Sequence, residues 1–225
     1  MDKLQKDLLQ EVADIHEVPE GAYNIRANGA LDSRRSTENI EIVPKTDKDG
    51  IDIIIKPGTK HESVHIPVII SESGLKDLVY NDFYIGEDAD VVIVAGCGIH
   101  NCGDQESSHD GIHSFHVGKN ARVKYIEKHY GEGDGKGANV MNPTTIVDID
   151  EGGYLEMETT QIKGIDSTVR DTRGVLKGAG AKLIIKDKVM THGSQHADAI
   201  FTMDLNGEGC SCDLISRAVA KDTST

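Results

Sequence analysis

The sequence predicts an all-β chain wound into a β-helix solenoid, with a short helix in front of it. Three observations carry that reading. First, a turn recurs. Ile85–Val91 (IGEDADV), Val117–Val123 (VGKNARV) and Ile149–Leu155 (IDEGGYL) each place an apolar residue before a four-residue turn and a return to apolar sequence. These copies end 32 residues apart, and two looser copies end at Leu183 and Leu214. Second, strand-like segments flank the turns, and residues 80–220 show no helical period. Third, the chain has 24 glycines, three phenylalanines and no tryptophan, which suits stacked strands and turns better than one thick core. A period near 30 with strands around each turn marks a solenoid, whose units bury their apolar faces only by stacking. At about 3.3 Å per residue, one period supplies two or three strands per coil. A β-sandwich with similar turn spacing would leave the repetition of turn sequence unexplained.

Taken in order, Leu4, Leu8, Leu9, Val12 and Ile15 recur at helical spacing and predict an amphipathic helix over residues 2–16. Pro19 and Gly21 end it. A polar segment follows, with NGALDSRRSTEN as its most loop-like part, so residues 1–39 are expected to be helix and polar linker and residues 40–225 the β-helix. EIVPKTDKDGIDIIIK predicts strand, Asp-Gly turn and strand, with Ile51, Ile53 and Ile55 on one apolar face. Val64–Ile70 is a further strand, and Pro67 places it at an edge or a bend.

Charge and composition exclude several functions. Lys and Arg number 24 against 38 Asp and Glu, a net charge of −14. The densest basic spot is the pair Arg34-Arg35, so no patch exists for a phosphate backbone and nucleic-acid binding is not expected. Nothing resembles a signal peptide or a membrane span, which predicts a cytoplasmic protein without membrane attachment. Four cysteines are too few for a disulfide framework. The glycine-rich Gly131–Gly137 lacks the Gly-Lys-Ser/Thr ending of a P-loop and carries two carboxylates, so it is expected to be a mobile loop. No Gly-x-Ser-x-Gly elbow occurs.

Chemistry concentrates in Ala95–Tyr125, which holds two of the four cysteines and four of the ten histidines. Cys97, His100, Cys102 and His109 are soft or borderline donors that could hold zinc or iron, with His113 as an alternative to His109. Strand alternation limits the set: Phe115 and Val117 mark the inner face, so His113 points in and His116 out. Cys210 and Cys212 share one side of an extended segment and are expected to pack in a coil. His192 and His196 lie in a Gly-Ser loop rather than on a zinc-binding helix. The acidic pairs Asp148/Asp150 and Glu156/Glu158 fall on outer strand faces, where solvation explains them. Two non-scaffold readings therefore stand beside any other: a carbohydrate-active β-helix enzyme and a zinc-binding structural solenoid.

Ile85–Gly103 (IGEDADVVIVAGCGIHNCG) and His109–Gly133 (HDGIHSFHVGKNARVKYIEKHYGEG) resemble the core domain of SufB and SufD, the scaffold proteins of SUF iron–sulfur cluster assembly. The resemblance runs from about Val64 to the last residue. It implies a right-handed parallel β-helix and a non-enzymatic scaffold that supports a transient iron–sulfur cluster. The partners it implies are a SufC-type ATPase, a SufB- or SufD-like subunit as homo- or heterodimer, and a cysteine desulfurase as sulfur donor. It makes Cys97 a sulfur acceptor and tilts the chain towards SufB, with His113 and Cys102 in support. A histidine near Cys97 is expected to lower its thiol pKa. Family members continue past Thr225 with more β-helix and a helical segment that binds SufC. A chain without that segment is expected to bind the ATPase poorly and to present an open solenoid end.

Overall fold

The computed structural model describes residues 1–13 and 19–225. Helix α1 covers Lys3–Ala13; the rest of the expected helix, including Ile15, lies outside the described residues. Asp2 and Gln5 start the helix with a reciprocal cap: Gln5 N–H donates to Asp2 Oδ1 (2.9 Å) and Asp2 N–H to Gln5 Oε1 (3.0 Å). Leu8, Leu9, Val12 and Ala13 form its buried face and pack on Ile25 and Ile69. The helix lies close because Gly96 and Gly98 stand beneath it. A Cβ on Gly96 would come within 2.5 Å of the Val12 carbonyl oxygen.

The segment expected to be a polar linker is a hairpin. Strands β1 (Ala22–Ala27) and β2 (Ala30–Arg35) pair antiparallel around Asn28 and Gly29, both at positive φ. Asn-Gly is the preferred dipeptide for such a turn, and here it outweighs the polar character of the flanking residues. Strands β3 (Ile40–Pro44) and β4 (Gly50–Ile55) form the expected second hairpin, with Ile51, Ile53 and Ile55 buried.

From β5 (Lys60–Ile70) onward every pairing is parallel and the chain alternates between two sheets. One sheet receives β7 (Asp90–His100), β9 (Arg122–Glu132), β12 (Tyr154–Lys163), β14 (Lys182–Thr191) and β16 (Ser211–Ala220). The other receives β6 (Lys76–Ile85), β8 (Ser107–Val117), β10 (Asn139–Met141), β11 (Thr144–Ile149), β13 (Ser167–Leu176) and β15 (His196–Leu205). The result is a parallel β-solenoid of about six turns, in which successive strands alternate between the sheets except that β10 and β11 of one coil both join the second. Pro67 is not on an edge: β5 lies between β1 and β7, and the β1–β5 pairing lapses opposite it. That lapse accommodates a residue with no N–H to donate.

The recurrent turns form a ladder. The N–H groups of Gly86, Gly118, Asp150, Gly178 and Gly207 each donate to the carbonyl that ends the strand one coil earlier. One residue in each turn is left-handed: Gly58, Asp88, Asn120, Gly152, Gly180 and Gly209, with φ between 54° and 73°. Gly58 marks an earlier copy that the sequence pattern hides, and the turns at Gly180 and Gly209 carry one extra residue, which is why they look looser.

The period makes residues 32 apart spatial neighbours. Phe83 stacks on Phe115 at 4.5 Å between ring centroids, and Ile85 pairs with Val117, Ile93 with Tyr125 and Cys97 with His129. Near the ladder the interior is aliphatic and aromatic, including Ile53, Phe83, Val91, Phe115, Val147, Leu155 and Leu183. Cys210 and Cys212 pack against that same core. Among the described residues no helix is long and apolar enough to cross a membrane.

Candidate functional site

The solenoid interior changes character half-way across its width. Beyond the aliphatic half lies a seam of buried polar groups, and beyond that a small packed apolar cluster of Val68, Ile70, Cys97, Ile99, Met141 and Ile165. Cys97 sits where the two meet. It lies on the inner face of β7 between Val68 and His129 on the neighbouring strands, with 4% of its surface exposed.

His109, from β8 on the opposite sheet, lies near enough to the Cys97 thiol for each group to shift the other's pKa. Its Nδ1 lies 2.9 Å from Asp77 Oδ2, one coil back on β6. A carboxylate only accepts, so Nδ1–H donates and Nε2 is left for the sulfur. Asp77 also accepts from Arg26 Nη2 at 3.0 Å. Burial works against a charged ring, but the sulfur and Asp77 outweigh it and raise His109 to about 10. Burial also pushes the Cys97 thiol up, against the pull of His109. The expectation of a histidine-lowered thiol is therefore corrected: desolvation is the larger effect on Cys97 and outweighs the pull of His109.

His113 points inward as the alternation requires, and His116 points out. However, His113 does not serve Cys97. Its Nδ1 donates to Tyr125 Oη (2.8 Å), whose hydroxyl donates to Glu127 Oε1 (2.9 Å), and its Nε2 faces Asn81 Nδ2 at 3.3 Å. Burial lowers His113 to about 4, so the ring is neutral. Glu127 pairs with His129 at 3.4 Å, and His129 Nδ1 lies 3.3 Å from Gln161 Oε1. Burial opposes the charge on Glu127, yet His129 holds its carboxyl well below the usual range. Farther along the seam Arg170 donates to Thr159 (2.8 Å) and pairs with Asp187 (3.1 Å).

His100 and Cys102 lie outside this interior. Inner positions on β7 are odd-numbered through Ile99, so His100 leaves on the outer side, and Cys102 follows in the turn. Cys102 Sγ is 2.9 Å from His100 Nε2, and His100 Nδ1 is 3.0 Å from Glu132 Oε1. The expected metal set Cys97, His100, Cys102 and His109 is thus split between inside and outside, because alternation turns neighbouring residues to opposite faces. Among the described residues no three His, Cys, Asp or Glu side chains are placed to hold a metal ion, so the donor set does not fit a zinc centre.

The glycine-rich segment expected to be mobile is stacked on the coil before it. Gly135 N–H donates to Asn101 O (3.1 Å) and Gly137 N–H to Gly103 O (3.0 Å). The outer acidic pairs are bridged by lysines one coil on. Lys177 reaches Asp148 (3.0 Å) and Asp150 (3.2 Å), and Lys186 reaches Glu156 (2.8 Å) and Glu158 (3.6 Å). Sequence reasoning had not placed Asp77, Glu127, His129 or Glu132 in any site. The period was the available signal, since 77 and 109, 97 and 129, and 100 and 132 each differ by 32.

Residues 79–225 match the family described as SUF system FeS cluster assembly, SufBD core domain. No curated protein and no solved structure matches the chain significantly.

Proposed function

We propose a specific role for this chain, which belongs to the SufBD core domain family of SUF FeS cluster assembly. It is a non-enzymatic scaffold subunit that receives sulfur and holds it at Cys97 while a nascent cluster, its cargo, is formed. One observation supports this most directly: the Cys97 thiol is buried inside the solenoid, near a histidine that a buried carboxylate holds. Burial keeps bound sulfane sulfur from solution reductants. His109 supplies a proton donor and a positive charge that stabilise a persulfide anion. Asp77 and Arg26 fix the ring's orientation and charge. In this reading a SufC-type ATPase supplies the driving energy, a SufB- or SufD-like subunit completes the scaffold, and a cysteine desulfurase supplies the sulfur.

The test is incubation with a cysteine desulfurase and cysteine, followed by mass-spectrometric mapping of persulfides. Cys97 is expected to carry added sulfur, and Cys97→Ser to lose the capacity for cluster assembly. A Cys97 that stays unmodified while the donor turns over would remove the role.

A further inference from the structure

Cys97 is too deeply buried to meet a persulfide carried on another protein. The chain nevertheless holds a second thiol–histidine–carboxylate line, on its surface. Cys102 is exposed, and its sulfur lies 2.9 Å from His100 Nε2. His100 Nδ1 lies 3.0 Å from Glu132 Oε1, and since the carboxylate can only accept, Nδ1 carries the proton and Nε2 is free to take the thiol's. Glu132 Oε2 accepts from Tyr130 Oη at 3.0 Å, and Lys163 Nζ donates to Tyr130 Oη at 2.7 Å. The carboxylate is therefore fixed from both sides. The imidazole lies between sulfur and carboxylate, the arrangement of nucleophile, base and orienting group rather than that of a chelate.

We propose that Cys102 is an activated surface nucleophile for sulfane sulfur, with His100 as its base and Glu132 as the positioning residue. The geometry favours sulfur transfer over acyl transfer. Acyl chemistry needs free donors for an oxyanion. Here the nearby amides are engaged: Gly103 N–H donates to Asn101 Oδ1, Gly135 N–H to Asn101 O and Gly137 N–H to Gly103 O. Sulfur transfer needs only a protonated leaving thiol. In the step, the Cys102 proton passes to His100 Nε2 and Sγ attacks the terminal sulfur of a donor persulfide R–S–SH. A new S–S bond forms at Sγ as the donor's S–S bond breaks. The electron pair leaves on RS⁻, which takes the proton back from His100. The products are Cys102–S–SH and R–SH, with no net oxidation. The identity of the donor rests on the function proposed above; the activation of Cys102 does not.

The experiment uses the full chain and glutathione persulfide, with sulfur uptake mapped at each cysteine over time. Cys102 is expected to load first. His100→Gln should slow it at least about tenfold, and Glu132→Gln by a smaller factor, while Cys210 and Cys212 keep their rates and so report intact folding. Glu132→Asp, which keeps the accepting carboxylate, should recover part of the Cys102 rate lost in Glu132→Gln, a recovery that looser packing alone would not give. Unchanged Cys102 rates in His100→Gln, or loading of Cys97 ahead of Cys102, would overturn the proposal. Loading of Cys102 with Cys97 never modified would instead defeat the interior acceptor role and leave Cys102 standing.

Discussion

Two sites in this molecule use the same three kinds of group. Inside, Asp77, His109 and Cys97 form one line; outside, Glu132, His100 and Cys102 form another. In both, histidine and carboxylate are 32 residues apart and meet because one coil stacks on the next. Only the surroundings differ. The inner carboxylate and imidazole are 5% and 4% exposed at the side chain, the outer pair 32% and 21%. In the inner line desolvation dominates, raising the thiol and making the ion pair strong and costly to break. In the outer line water screens the charges, the pair adds little to stability, and the thiol is open to reagents. One set of chemical groups thus becomes a closed store in one place and an accessible nucleophile in the other.

The sharpest way to break this contrast is to remove each carboxylate. Asp77→Ala leaves Arg26 and a buried His109 without their partner and should cost about 3–5 kcal/mol, measured by urea unfolding at neutral pH.

Acidification comes next. His113 is held near 4, below its ordinary 6.5, so its contribution is intact above pH 6.5. Stability should fall as the pH drops from 6.5 towards 4, by a total on the order of 3 kcal/mol. His113→Gln should flatten that limb of the urea-midpoint profile. His109 acts in the opposite sense. Its raised value stabilises the fold fully below pH 6.5, and that contribution should fade as pH rises towards about 10.

Native-state alkylation with iodoacetamide sharpens the comparison from the side of access. Cys102 should react on the order of 100-fold faster than Cys97, which requires local opening; equal rates would mean that the solenoid is not closed. The smallest effect belongs to Glu132→Ala, which should change stability by less than about 1 kcal/mol while still slowing Cys102.

Much of this architecture was legible. The turn sequences at Ile85, Val117 and Ile149 announced the coil, and alternation in HSFHV put His113 inside and His116 outside. The family resemblance drawn from Ile85–Gly103 and His109–Gly133 agrees with the match over residues 79–225. The β1–β2 hairpin was missed because polar composition was weighed above the Asn28-Gly29 turn. His109 was grouped with Cys97 only as a candidate metal ligand, and His113 was preferred as the neighbour of Cys97 because alternation turns it inward and the family resemblance favours it. Contact across the interior depends on how far apart the two sheets stand.

By itself, then, the sequence determined the repeat, the two sides of each strand and the neighbours along each column. These are local properties, set by the alternation of side chains and the spacing of turns. The tertiary structure alone decided which groups meet across the lumen and which lose their water. His109 comes near Cys97 only because the two sheets face each other, and burial raises the thiol only because the coils close around it. Cys97 and Cys102 are five residues apart in the chain, and the fold puts one inside that enclosure and the other outside it.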